Sequence, residues 1–335
     1  MEIRRVQMTG GSSFIITLPK EWVKSLHIQK NDPVGLLQQS NGTILITPKI
    51  TREGVHRSKN FSVTSETNQN KLFRRLIAAY IEGYNSIHIT SKTRVTPQLR
   101  AMVRTFTQIV IGQEVVEETD KTIVLKDLLN PAEMPFQRTL KRMHIIVKGM
   151  YQDAMQALID HDQKIADDVI ARDSEIDRLH WLIARQHKMI LRNVNFAEKM
   201  GTNISTSNTS FLISRIIERI GDHVVTIASN IANLNSQSFD PSFINALQEA
   251  SKLSLESFNR SVGAFFRKEL NAANDNIESI VDVRKTCEEL NIFNLSLDAV
   301  TAISLGYIVE SIRRIGEYAE DISENVINFL IGEEY

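Results

Sequence analysis

Ile217-Glu218-Arg219-Ile220-Gly221-Asp222-His223 and Ile312-Arg313-Arg314-Ile315-Gly316-Glu317-Tyr318 are two copies of one helical phrase. The isoleucines stand three apart, on one face of a helix. A glycine and then an acid follow in both. Glycine inside a helix costs about 1 kcal/mol relative to alanine, so its return in both copies predicts close helix approach or room for a ligand. Working outward, Asp173-Ser174-Glu175-Ile176-Asp177 lies over Glu278-Ser279-Ile280-Val281-Asp282, preceded at equal offsets by Ile165 and Leu270. From Pro131 on, 3.6-period segments follow one another near 136–162, 164–193, 210–235, 241–269, 271–290 and 296–331. The longest break is the polar stretch 201–208. Six helices joined by short breaks predict a tandem pair of three-helix bundles, over 132–235 and 236–335.

The acids in these copies share a spacing. Asp173 and Asp177 stand four apart, as do Glu218 and Asp222, so each pair lies on one helix face, one turn apart. Like charges so placed are mildly destabilising unless something positive sits between them. A single pair is ordinarily a solvated face. Two pairs on neighbouring helices present four carboxylates to one patch, an all-oxygen set suited to hard or borderline cations. In the second copy Glu278, Asp282 and Glu317 recur, but Arg313 stands where the fourth acid would be. That copy is expected to bind metal weakly or not at all.

The phrase from Ile217 to His223, the Asp173–Asp177 pair and the tandem repeat resemble the PhoU family of phosphate-uptake regulators, over about residues 132–335. The resemblance implies a PhoU fold with metal ions (Fe, Zn, Mn or Mg) on the acid-x-x-x-acid motifs. It also implies a role in phosphate homeostasis, with a phosphate transporter or its signalling components as partners.

The first fifty residues read differently. Short β-rich runs at Ile3–Val6, Phe14–Leu18, Val34–Leu37 and Ile44–Ile46 are broken by Thr9–Ser13, by Pro19 and by Asn41-Gly42, a two-residue hairpin signal. A short helix fits Pro19–Leu26. This segment, roughly 2–49, resembles the SpoVT/AbrB (MazE-like) swapped-hairpin domain, which implies an interleaved homodimer that docks on DNA. Fifty residues scarcely build a core alone, so a shared one is expected. Arg4, Arg5, Lys20, Lys24, Lys30 and Lys49 oppose Glu2, Glu21 and Asp32, a formal +3. Arg4, Arg5, Lys20 and Lys24 are the candidate DNA contacts, lysines on phosphates and arginines on bases. Antitoxins with this fold end in a toxin-binding tail; here a helical bundle follows.

Between these lies 51–131, read as an α/β connector. Leu72, Leu76, Ala79, Tyr80 and Gly83 predict one helix, Ser86–Thr90 a strand, and Leu99, Met102, Val103, Phe106 and Val110 a second helix. Two short strands flank Asp120-Lys121. Arg74, Arg75, Arg94, Arg100 and Arg104 are candidates for a basic surface, with a structural connector the simpler reading.

Composition excludes several classes. The net charge of −1 confines any nucleic-acid binding to a local patch. The one cysteine, Cys287, forms no intrachain disulfide and suits a cytoplasmic protein. No run approaches the ~20 apolar residues of a membrane span. No catalytic triad, P-loop or dinucleotide fingerprint is present; Asp177-Arg178-Leu179-His180 is the nearest approach to a di-iron Glu-x-x-His motif and has no counterpart. No catalytic residue is assigned. The two resemblances together imply a phosphate-responsive transcriptional regulator of phosphate uptake, in which a bundle that binds metal, with phosphate as a candidate further ligand, controls DNA binding by the N-terminal dimer. The competing functions are a protein–protein adaptor on a phosphate transporter or its signalling partner, without DNA, and a metal-dependent hydrolase or oxidase on the carboxylate patch.

Overall fold

The computed structural model describes residues 2–38, 42–48, 57–234, 239–293 and 298–333. The chain divides into two compact units, Met1–His56 and Arg57–Tyr335.

The first unit holds two antiparallel pairs. Strands β1 (Gln7–Thr9) and β2 (Ser13–Ile15) turn through Gly10 and Gly11, both at positive φ. The first strand begins after Ile3 and Val6, and the second stops short of Leu18. Helix α1 (Lys20–Ser25) follows Pro19, whose fixed φ suits a helix start. Strands β3 (Gly35–Gln38) and β4 (Ile44–Thr47) pair Leu36 with Ile46. Gly42 in their turn has φ +79°, while Asn41 and Lys49 lie outside the described residues. No described residue of this unit is buried in the single chain. Phe14 is 75% exposed, Met8 67%, Leu36 65% and Ile44 63%. Two-stranded hairpins with their apolar side chains in water are marginal by themselves.

The second unit opens with an α/β layer. Its elements are β5 (Ser58–Val63), α2 (Gln69–Ile81), β6 (Ser86–Ser91), α3 (Pro97–Ile109), β7 (Gln113–Glu118) and β8 (Thr122–Asp127). The sheet order is β5-β6-β8-β7; β5 runs parallel to β6 and the other pairs are antiparallel. Leu72, Leu76 and Tyr80 of α2 and Leu99, Val103 and Phe106 of α3 close on Ile87, Ile89, Ile123 and Leu125. The layer therefore has a core of its own. Strand β5 had no sequence signal, because Ser58-Lys59-Asn60-Phe61-Ser62-Val63 is an edge strand with few apolar residues. At Gly112, φ is +93° and a Cβ would meet Leu129 Cβ at 2.6 Å, so only glycine fits this entry to β7.

The bundle follows: α4 (Phe136–Asp160), α5 (Gln163–Arg192), a short α6 (Val194–Lys199), α7 (Ile204–Asn230), α8 (Pro241–Arg267), α9 (Leu270–Phe293) and α10 (Ala299–Glu333). Helices α4, α5 and α7 pack together, as do α8, α9 and α10, and the copies join through α7 against α10 and α4 against α8. One apolar core runs through both. The polar break at 201–208 is shorter than its composition suggests. Asn203 caps α7 by accepting from Thr206 N at 2.7 Å, and the helix is under way by Ile204. Ser207 then turns inward to His187 Nδ1 at 2.9 Å, so a polar residue there reports a buried hydrogen bond and not a loop.

The bundle is tied to the α/β layer by a buried arginine. Arg185 of α5 is fully buried; it ion-pairs with Asp127, donates to Tyr80 O at 2.5 Å and Tyr84 O at 3.3 Å, and lies over the Tyr80 ring. Burial pushes the Asp127 carboxyl above its ordinary range despite the adjacent guanidinium. Its neighbour Gln186 donates to Pro131 O at 2.6 Å and Met134 O at 2.7 Å. Among the described residues no helix is long and apolar enough to cross a membrane.

Candidate functional site

Helices α5 and α7 pack side by side, and each brings one acidic pair to their seam. Asp173, Asp177 and Glu218 are half-buried and Asp222 is exposed. None of the four makes an ion pair among the described residues. They act on one another instead. Burial, then the charges of Asp173 and Asp222, push Asp177 up to about 6. Burial, then Asp222 and Asp177, push Glu218 up to about 7 against the opposing pull of Arg215. Asp173 is raised by burial, and Asp222 by burial and by Asp173. Four carboxylates without an ion-pair partner among the described residues, opposed only by the charges of Arg215 on Glu218 and Arg219 on Asp222, are a mutual cost, one that a bound cation relieves.

The donor chemistry fits a hard or borderline cation. The arrangement is not a finished cage: among the described residues no three His, Cys, Asp or Glu side chains converge as ready ligands. The side chains of Asp173, Asp177, Glu218 and Asp222 would have to be drawn together by the ion.

The second copy differs in kind. Glu317 is ringed by arginines: Arg313 Nη1 at 2.5 Å and Arg314 Nη1 at 3.1 Å from its own helix, and Arg284 Nε at 3.5 Å from α9. Arg313 and Arg314 also hold Glu310. Glu278 and Asp282 are exposed on α9. Arg313 has thus converted the second patch into an ion-pair network, with Glu317 no longer a free donor. The repeated glycines differ too. A Cβ at Gly316 would come within 3.0 Å of Val283, whereas at Gly221 it would meet only ordinary contacts, with Asp173 Oδ1 at 3.8 Å. Close approach explains the glycine of the second copy; the structure gives no steric reason for that of the first.

The nearby histidines are occupied elsewhere. His180 Nδ1 lies 3.0 Å from Ser214 Oγ, and burial holds its imidazole down to about 4. His180 and His187 both stack on Phe211. His223 is 3.3 Å from Ser311 Oγ and packs beside Tyr318. Cys287 is fully buried, and burial pushes its thiol up to about 12, so it is no nucleophile. The residues that sequence reasoning missed are Arg185 and Asp127, whose pairing joins positions far apart in the chain and carries no local signal.

In the N-terminal unit Arg4, Arg5, Lys20 and Lys24 are all exposed. Lys20 and Lys24 share a face of α1, and Arg4 contacts Glu2 at 2.6 Å, an exposed pair worth little.

Two family models match separate stretches of the chain. The PhoU domain model matches residues 140–231, the first copy, where the four carboxylates stand. The model of the antidote-toxin recognition MazE bacterial antitoxin matches residues 7–53. A phosphate-specific transport system accessory protein PhoU homolog of Xylella fastidiosa is 25% identical over 202 residues, which span 58% of this chain and 81% of that protein. The homolog of the same description from Clostridium acetobutylicum is 24% identical over 213 residues, 58% of this chain and 90% of that one. Crystal structures of PhoU from Pseudomonas aeruginosa (TM-score 0.52, 20% identity) and Streptococcus pneumoniae (TM-score 0.50, 18% identity) cover 59% of this chain each, and 96% and 94% of their own. The bundle is similar to PhoU proteins and the N-terminal segment to the MazE antitoxin, consistent with the PhoU family extended by a swapped-hairpin domain.

Proposed function

We propose that this protein is a phosphate-responsive transcriptional regulator of phosphate uptake. Its N-terminal unit dimerises and binds DNA, and its bundle holds a divalent or trivalent metal ion (Fe, Zn, Mn or Mg) on Asp173, Asp177, Glu218 and Asp222. The observation that carries this reading is the joining, in one chain, of a PhoU-like bundle, whose four carboxylates have no ion-pair partner among the described residues, to a MazE-like segment without a core. Fifty residues with Phe14, Met8, Leu36 and Ile44 in water gain a core when a second copy covers them. Dimerisation doubles Arg4, Arg5, Lys20 and Lys24, so a weakly basic unit becomes a basic surface. The metal offsets the repulsion among the carboxylates and holds α5 to α7.

Salt dependence tests the DNA reading. Affinity for duplex DNA is expected to fall steeply with salt, the slope of log K against log salt scaling as about 0.9 per phosphate contact. Lys20→Ala removes one contact per protomer and should shrink the slope by about two units for a dimer. Arg4→Ala should weaken binding as well. Negligible affinity even at low salt would remove the DNA reading and leave an adaptor on a phosphate transporter or its signalling partner.

A further inference from the structure

Helix α5 presents Asp177 to the acidic seam, and the next residue, Arg178, points about 100° away round the helix. There it borders a cleft between α5 and the α3–β7 edge of the α/β layer, with a volume of about 520 Å³. Arg178 Nε is buried without a hydrogen-bond partner, and no described carboxylate pairs with this guanidinium. Arg104 of α3 lines the same cleft, and among the described residues its one carboxylate contact is Glu118 at 3.7 Å. Glu118 is already held by Arg100. The remaining acid on the wall is Glu114, and Gln108 adds an amide.

We propose that this cleft is a binding site for a phosphoryl group, held by Arg104 and Arg178. The site is independent of the metal and DNA readings. A half-buried guanidinium that lacks an anion has given up hydration without return. Planar N–H forks lining one cleft match the oxygens of a tetrahedral dianion. Arg100 cancels the charge of Glu118, which leaves Arg104 and Arg178 against Glu114. The cleft lies in the ~300–1,000 Å³ range of small-molecule sites. Beyond a phosphoryl group it has space for an organic remainder, with Val110 and Val115 as apolar wall and Glu114 as acceptor for a hydroxyl or amino group. The phosphoryl group is therefore either free phosphate or part of a small phosphorylated metabolite. Its occupant would bridge the α/β layer and the helix that carries Asp173 and Asp177.

Isothermal titration calorimetry on the full chain, with sodium phosphate and with AMP at matched ionic strength, tests this. Saturable binding of at least one probe is expected. Arg178→Gln and the exposed Arg104→Gln should each weaken it about tenfold, the loss of a charge-assisted hydrogen bond. Lys252→Gln, an exposed lysine on α8, should leave it unchanged. Phosphate binding as tightly as AMP would identify free phosphate as the ligand; tighter AMP binding would identify a phosphorylated metabolite. Should Arg178→Gln unfold the chain, Arg104→Gln decides by itself, since Arg104 is 67% exposed. The proposal is overturned if neither probe binds at about 10 mM, or if binding is undiminished in both folded arginine variants.

Discussion

Replacing Arg185 with alanine is expected to destabilise the second unit by about 3–5 kcal/mol, read as a lower urea midpoint of the full chain. The substitution leaves Asp127 buried without its partner and strips the donor from Tyr80 O and Tyr84 O. The carboxyl of Asp127 already sits above its ordinary range because burial outweighs the attraction of Arg185, so the lone acid will take up a proton instead of staying charged. Asp127→Leu combined with Arg185→Met should recover much of the loss, because a buried ion pair replaced whole by apolar groups is often neutral. A loss below about 1 kcal/mol in Arg185→Ala would mean that the pair does not tie the α/β layer to α5.

The second large effect has opposite signs with and without metal. Asp177 and Glu218 are raised to about 6 and about 7, so the folded chain holds their protons more tightly than the unfolded one. Their repulsion is absent below about pH 4, grows as pH rises through the folded values, and is complete above about 8. Metal-free protein is therefore expected to lose thermal stability between pH 5 and 8. Glu218→Gln should raise its Tm at pH 8 by a few degrees, on the order expected for a single relieved contact. Metal binds the ionised form, so its stabilisation should grow over the same pH window. At a hundred times Kd it adds about 2.7 kcal/mol, most of which Glu218→Gln should lose. A metal-free Tm that rises from pH 5 to 8 would contradict the electrostatics of this cluster.

Much of the fold could be read from periodicity. The six long helices follow from apolar residues recurring at 3.6, and Leu72, Leu76, Leu99 and Phe106 mark α2 and α3 by their spacing alone. What escaped the sequence was decided by tertiary contact. Strand β5 is an edge with a polar pattern, and its pairing with β6 is a long-range choice. The start of α7 was masked because Ser207, Thr209 and Ser210 look like a loop until their burial is seen. In the site, spacing four placed each acidic pair on one face, and Arg313 signalled that the second patch differs. It did not reveal that Arg284 and Arg314 join Arg313 around Glu317. Nor could local spacing show Arg178 facing a cleft beside Arg104, since α3 and α5 meet only through the fold.

On the proposed reading, the first copy holds a metal ion on its four carboxylates. Elemental analysis of protein purified without added metal or chelator tests it most directly. Bound Fe, Zn, Mn or Mg is expected in the intact chain, restored by add-back after chelation and lost in Asp177→Asn combined with Glu218→Gln. Protein free of all four metals, still empty after each is added back, would contradict it.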